Sequence, residues 1–272
     1  MTRGAKIALN VITAVVLLSY LAYTIVDAVM RSGEIVVRDV RVEVLDSSEI
    51  AFVTSGEIRA MLLDSLSRRG MKVDSLNLWQ IEESIRGIEA IESVEAVVTM
   101  EGLLSVEIWQ RTPIVRLMDD GKYGRGDYYM DSSYNFIPPT RGYRPDVLVV
   151  SGELNLSFKR DSLGEGEAKK NESQLIFIKN IHTFVGLISG DKFFADFVDQ
   201  IYIRREGNSH KPFVEIVPFQ RNGVVYFGDF NNMEAKLQKI KTFYRDAYRY
   251  ASLGEGDVVD VRFENQVVVR RR

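Results

Sequence analysis

The sequence predicts an α+β protein: an N-terminal transmembrane helix, a β-α-α-β-β unit, and a mixed β-sheet domain with flanking helices. Three observations carry this. An uncharged run of twenty residues lies near the start. Two amphipathic helical stripes then sit between segments of strand-like alternation. Beyond them, short apolar runs alternate with turn signals and two further helical stripes.

The uncharged run is IALNVITAVVLLSYLAYTIV, residues 7–26, bounded by Lys6 and Asp27. At about 1.5 Å per residue such a helix spans roughly 30 Å, the thickness of a bilayer's hydrocarbon core. The membrane helix is placed at residues 7–30, with residues 1–6 as a cytoplasmic tail too short to fold. Arg3, Lys6 and the terminal amine favour a cytoplasmic N-terminus, which puts the chain from Arg31 onward outside the cytoplasm. The competing reading is a cleaved signal peptide, whose apolar region is about 7 to 15 residues and ends at small residues. This run is longer, and Ala22-Tyr23-Thr24 is not such a cleavage site.

The rest of the chain is soluble in character. A charged fraction of 27% and a net charge of −3 argue against nucleic acid as a partner. There is no cysteine, so disulfide frameworks and thiolate metal sites are excluded.

Val36 to Val44 alternates, with Val40, Val42 and Val44 on one face, and reads as a half-buried strand. Thr54-Ser-Gly-Glu57 has capping-box spacing, and Ile58, Met61, Leu62 and Leu66 follow as a helical stripe that ends by Gly70. Asn77-Leu-Trp-Gln80 is a second cap, opening a helix striped by Leu78, Ile81, Ile85 and Ile88. Val94 to Met100 and Leu103 to Trp109 are strands joined at Glu101-Gly102. Each helix has one apolar face, so both should cover one side of a three-stranded sheet. This order, just after a membrane helix, resembles a POTRA domain, a binding module. The unit is bounded at residues 34–112.

Arg111-Thr-Pro113 marks the boundary, because proline lacks the donor a central strand needs. The second unit, residues 113–272, begins with a strand at Asp127 to Met130 and a turn at Asp131-Ser-Ser-Tyr134. Val147 to Val150 is a short apolar run closed by Ser151-Gly152, and Asp161 to Ser173 is a polar loop. Leu175, Ile178, Ile181, Val185 and Ile188 mark a helix. Val198 to Ile203 and Phe213 to Pro218 are strands, and Asn222-Gly223 is the strongest hairpin signal in the chain. Asn231-Asn-Met-Glu234 caps a helix striped by Leu237, Ile240, Tyr244, Ala247 and Ala251. Val258 to Val269 reads as one long final strand, followed by Arg270 to Arg272.

Across its length the chain resembles the FtsQ/DivIB family of bacterial division proteins. Arg111-Thr-Pro113 resembles the family's E-R-x-P stretch, with Gln110 in place of the acid. Tyr129-Met-Asp131 resembles its aromatic-x-Asp turn, with Tyr134 where a glycine is common. Val224 to Asp229 followed by Lys236-Leu237 resembles its strand, glycine turn and K-L helix, and Asp260-Val-Arg262-Phe263 its I-D-L-R-Y/F signature. The resemblance implies a non-enzymatic, single-pass inner-membrane protein with its C-terminal domains in the periplasm. It implies FtsB-like and FtsL-like bitopic partners, and a role in positioning and regulating septal peptidoglycan synthesis. No cofactor and no metal are implied. It also makes the signature region the FtsB docking site, with Arg262, Phe263, Asn265 and Gln266 as partner contacts. A terminal strand can accept a partner's strand along its free edge. Alternation alone would put Phe263 with Val259, Val261 and Val267, facing the core.

Other chemistry is weakly signalled. The two histidines, His182 and His210, have no metal-site spacing. Ser189-Gly-Asp-Lys192 and Ser133-Tyr-Asn135 evoke the serine and lysine of penicillin-binding enzymes. Their order is reversed, and Lys241-Thr242 is followed by Phe243, not glycine. Gly164-Glu-Gly166 and Gly254-Glu-Gly256 place carboxylates where a phosphate loop needs none. Lys239, Lys241, Arg245 and Arg249 are either an anion patch or the solvated face of a helix. Trp79 and Trp109 belong to the first unit's core or rim, with Trp79 alternatively a ligand anchor. The competing functions are an anchored cell-wall hydrolase using an unrecognised carboxylate pair, and a POTRA-type outer-membrane assembly component.

Overall fold

The computed structural model describes residues 3–32, 36–69, 73, 76–99, 101–120, 126–156, 172–206 and 211–271. The chain divides into two units, Met1–Gln110 and Arg111–Arg272.

Helix α1 runs Arg3–Ser32, so Arg3 to Lys6, expected as a tail, are helical. Its described side chains, residues 12–27, include Val15, Leu18, Leu21 and Ile25, each more than half exposed. Among the described residues no helix is long and apolar enough to cross a membrane. The expected span, 7–30, extends past those side chains at both ends.

The rest of the first unit is β1 (Asp39–Val44), α2 (Ser55–Arg69), α3 (Leu78–Arg86), β2 (Ile91–Val98) and β3 (Leu103–Gln110). The sheet order is β1-β3-β2, with β1 parallel and β2 antiparallel to β3. The capping box closes at the start of α2: the Glu57 N–H donates to Thr54 Oγ1 at 3.3 Å, and the Thr54 N–H donates to Glu57 Oε2 at 2.9 Å. Asn77 caps α3 by accepting from the Gln80 N–H at 3.2 Å. Ile58, Leu62 and Leu66 of α2 and Ile81 and Ile85 of α3 pack with Leu104, Val106 and Ile108 of β3, so both helices cover one face. Met61 is a correction, because it lies on the exposed flank of the α2 stripe. Strand β2 starts at Ile91, not Val94, because its register slips between Ile91 and Ser93 and breaks the alternation. Gly70 and Met100 lie outside the described residues. Gly102 turns the hairpin at φ +82, and a Cβ there would meet the Val36 carbonyl at 2.2 Å.

The second unit is built from β4 (Pro113–Asp119), β5 (Gly126–Asp131), β6 (Phe136–Ile137), β7 (Leu148–Gly152), α4 (Glu172–Ser189), α5 (Lys192–Phe197) and β8 (Val198–Glu206). It continues with β9 (Lys211–Pro218), β10 (Val224–Gly228), α6 (Met233–Thr242), a π-helical turn at Phe243–Ala247, α7 (Tyr248–Ala251), β11 (Val258–Asp260) and β12 (Val268–Arg270). Among the described residues the strands form two sheets; the second has the order β12-β11-β10-β9-β8-β7-β4-β5-β6. Ile178, Val185 and Ile188 of α4, Phe194 of α5 and Ile240 of α6 share a core with Val150, Ile201, Ile216, Val225 and Val259. The cross-strand pairs Val150–Ile201, Ile201–Ile216, Ile216–Val225 and Val225–Val259 put those strand residues on one face.

Several expectations shift here. Strand β4 and helix α5 were not separately expected. Residues 157–171, most of the expected polar loop, lie outside the described residues, and Glu172 and Ser173 already belong to α4. Leu175 is exposed although it fits the stripe of α4. The π-helical turn widens the helix after α6, so the stripe passes from Tyr244 to Tyr248, whose rings stack at 5.0 Å, and Ala247 faces solvent. Asn232 precedes α6 in the left-handed region at φ 52 and makes no side-chain cap bond.

The largest difference is at the end of the chain. Val258 to Val269 is not one strand. It is a hairpin, β11 and β12 paired antiparallel, with residues 261–267 as the connection.

Candidate functional site

The last three strands meet around one buried carboxylate. Asp260 lies in a run of valines, Val258-Val259-Asp260-Val261, and is fully buried. A lone acid in so apolar a run must be paired. Arg262 supplies the pairing: Nε donates to Oδ1 at 2.9 Å and Nη2 to Oδ2 at 2.7 Å, with the Arg262 backbone N–H on Oδ1 at 3.2 Å. Arg270 Nη2 donates to Oδ2 at 2.9 Å from β12. Burial works to raise the Asp260 carboxyl, but the Arg262 bonds and the charge of Arg270 outweigh it and hold it below the usual carboxylate range. The same carboxylate raises the Arg262 guanidinium above its ordinary value.

The stem of Arg262 passes over Gly228, which has φ +82; a Cβ there would sit 2.8 Å from Arg262 Cδ. The guanidinium then lies 5.1 Å from the ring centre of Phe213, on which Arg204 also stacks at 3.8 Å. The K-L helix is stapled to the end of β10: Lys236 Nζ donates to the Asp229 carbonyl at 2.9 Å and to Asp229 Oδ1 at 2.7 Å. One turn further, Lys239 Nζ donates to the carbonyls of Val261 at 2.9 Å and Phe263 at 2.6 Å.

Backbone bonds fix which groups face the open edge. The Val224 N–H donates to the Asp257 carbonyl at 2.9 Å, and the Val261 N–H to the Tyr226 carbonyl at 3.2 Å. In a parallel ladder this turns the peptide groups of Val259 toward β10, and those of Val258 and Asp260 toward β12. The pairs Val258–Arg270 and Asp260–Val268 are therefore the hydrogen-bonded ones. The N–H and C=O of Val269 point away from β11, along the end of the sheet order.

The four expected contact residues are thus not on a strand. Arg262, Phe263, Asn265 and Gln266 lie in the connection between β11 and β12. Arg262 is committed to Asp260. Phe263 is 39% exposed, which overturns its alternation with the buried Val259 and Val261. Asn265 and Gln266 are exposed and precede the ladder. Val269 was missed, and Lys239 was read only as part of a basic helix face. The one available signal was Asp260, an acid among valines that demanded a cation and a reversal nearby.

The remaining sequence candidates have structural places. His182 Nε2 is 3.1 Å from the Ser132 carbonyl, so that nitrogen carries the proton it donates, and its ring centre lies 4.4 Å from that of Tyr134 at a tilt of 34°. Tyr134 sits at φ 66, where the resemblance expects a glycine. Asp131 holds that turn by accepting from the N–H groups of Ser133 and Asn135, each at 2.8 Å. His210 and Gly164-Glu-Gly166 lie outside the described residues. Gly254-Glu-Gly256 is a turn tied by the Gly254 N–H to Asp257 Oδ2 at 2.9 Å. Lys241 is paired with Asp191 at 2.6 Å and Arg245 with Asp246 at 2.8 Å, so the basic residues of this helix do not form a free patch. Trp79 is exposed and Trp109 is half-buried, so neither is core. Among the described residues no group of three acidic or histidine side chains could hold a metal ion.

A β-α-α-β-β unit followed by a unit built on a mixed sheet defines a two-unit α+β protein. The model of the POTRA-like domain matches residues 35–109, and the model described as FtsQ/DivIB, C-terminal related, matches residues 112–269. The chain belongs to the FtsQ/DivIB family, a family of cell division proteins that are generally not enzymes. No curated protein matches the chain.

Proposed function

We propose that this chain is a non-enzymatic assembly protein of the bacterial division septum, held in the inner membrane by α1, with both folded units in the periplasm. It binds FtsB-like and FtsL-like bitopic partners and so helps position and regulate septal peptidoglycan synthesis. The observation that carries this reading is the outward N–H and C=O of Val269 on the last strand of a nine-stranded sheet. Such an edge accepts a partner's extended segment by main-chain pairing. Phe263 and Arg262 lie in the connection just before that strand, where side chains can add specificity, with Asn265 and Gln266 beside them. The uncharged run 7–26 and the exposure of its apolar side chains support a lipid-facing helix. Anchoring raises the effective concentration of the modules for other anchored proteins.

The decisive substitution is Val269→Pro. It removes an outward N–H while leaving the β11 ladder, and proline is tolerated on an edge strand. Capture of the host's FtsB-like protein should fall at least tenfold, on the order of 1.4 kcal/mol or more. Val269→Pro protein that is folded by circular dichroism and captures that partner at wild-type strength would overturn the edge reading. For topology, a reporter active only in the periplasm should work when fused after Arg272. Activity of a cytoplasm-only reporter there reverses the orientation.

A further inference from the structure

We propose that Lys239 is a positioning residue for partner docking: by holding the carbonyls of the 261–264 segment, it presets the connection that carries Phe263 and launches β12. The inference rests on the edge reading above. Lys239 sits in the last turns of α6, and no carboxylate is hydrogen-bonded to it among the described residues. Its ammonium instead donates to the carbonyl oxygens of Val261 at 2.9 Å, Phe263 at 2.6 Å and, more weakly, Glu264 at 3.4 Å. An ammonium has three N–H donors in a compact head, which suits several carbonyls of one bent segment. Those carbonyls belong to a stretch with no glycine or proline: Val261-Arg-Phe-Glu-Asn-Gln-Val267.

The consequence for recognition is entropic. The connection would otherwise order only when a partner arrives, and ordering it then would subtract from affinity. Lys239 orders it beforehand from one end, and the Asp260–Arg262–Arg270 cluster ties the same hairpin across its strands. Phe263 is thereby kept 39% exposed beside the free edge, although the core is near enough to bury Val261 completely. Burial holds the pKa of the Lys239 ammonium below its ordinary value, the like charge of Lys236 adds to this, and Glu264 opposes it. The site thus keeps a partly desolvated cation whose direct partners are backbone oxygens.

The test uses the full chain in detergent or membranes, with Lys239→Met and Lys239→Arg as variants. Two readouts are taken: amide hydrogen exchange of 259–271, and capture of the FtsB-like protein. Lys239→Met should exchange at least about tenfold faster at Val261, Arg262 and β12, while the amides of β8 and β9 stay protected. Its capture should weaken by about three- to tenfold, and Lys239→Arg, which keeps donors at that place, should recover most of both. Unchanged exchange in Lys239→Met overturns the preset connection. Faster exchange with undiminished capture overturns its part in docking and leaves the edge reading intact. A wild-type chain that captures nothing removes both readings, a result distinct from either variant failing alone.

Discussion

The Arg262 guanidinium meets the Asp260 carboxylate side-on, Nε to Oδ1 at 2.9 Å and Nη2 to Oδ2 at 2.7 Å. The acid is fully buried, whereas the arginine keeps part of its side chain in solvent. This asymmetry decides how the pair responds to mutation. Removing Arg262 leaves the buried charge with only the single bond from Arg270; removing the charge leaves cations that water can still reach. Arg262→Met should therefore destabilise the protein more than Asp260→Asn. Asp260→Asn should cost about 1–3 kcal/mol. Urea unfolding of the two variants gives the order, and the reverse order would mean that Asp260 is neutral in the fold.

The same pair sets an acid limit. The Asp260 pKa lies below its ordinary 3.8, because the Arg262 bonds overcome the opposing effect of burial. A depressed carboxyl contributes stability that is fully present above the unfolded value and is lost as pH falls through the folded one. Thermal midpoints between about pH 5 and about pH 2 should drop more steeply for wild type than for Asp260→Asn. Parallel curves would assign the acid lability to other carboxylates, such as Asp229, which Lys236 also holds low against the effect of burial.

Gly228→Ala tests the passage of Arg262 over the end of β10. At φ +82 an alanine is strained by about 1–2 kcal/mol, and its Cβ would lie 2.8 Å from Arg262 Cδ. The arginine must then shift from Asp260. We expect a lower denaturation midpoint together with a reduced acid dependence, and a fully wild-type pH profile would show that Arg262 keeps its bonds by another route.

In the first unit, Ile85 is completely buried among Ile81, Ile58 and the strand valines. Ile85→Asp should cost about 3 kcal/mol or more, because it places a charge where nothing pairs it. A variant as stable as wild type would remove Ile85 from the core.

Thr54→Ala removes half of the capping box of α2 and should cost about 1 kcal/mol. Thr54→Ser should restore most of it. Equal stability of all three proteins would mean that the start of α2 is held by packing alone.

The open edge was expected at Gln266 and Asn265, and the folded chain puts it at Val269 instead. Both positions lie in one stretch without proline or glycine, and alternation is a local signal that says nothing about where a chain reverses. Reversals are usually legible through glycine, proline or asparagine pairs, as at Asn222-Gly223, where the chain does turn between β9 and β10. Residues 261–267 contain a single asparagine and no glycine. The helical stripes were legible through most of their length, failing at Met61, Leu175 and Ala247. Two of these lie at the flank of a stripe, and the third closes a π-helical turn that no periodicity of 3.6 anticipates.

By itself the sequence determined what depends on near neighbours. Thr54 and Glu57 are three residues apart and cap α2 through bonds within that reach. Asn77 does the same for α3, and the alternation of Val40, Val42 and Val44 or the spacing of Ile81 and Ile85 follows from backbone geometry alone. Only the tertiary structure decided that Val258 to Val269 folds back on itself. The groups responsible are far apart in the chain: Gly228 lets Arg262 pass, and Lys239 of α6 holds the carbonyls of Val261 and Phe263. Asp260 is charged in the core only because Arg262 and Arg270 reach it from both sides of the reversal. A buried charge must find its partners wherever the fold supplies them. Those bonds tie the two ends of the reversal together, and the register of β11 with β12 leaves the backbone of Val269 facing outward.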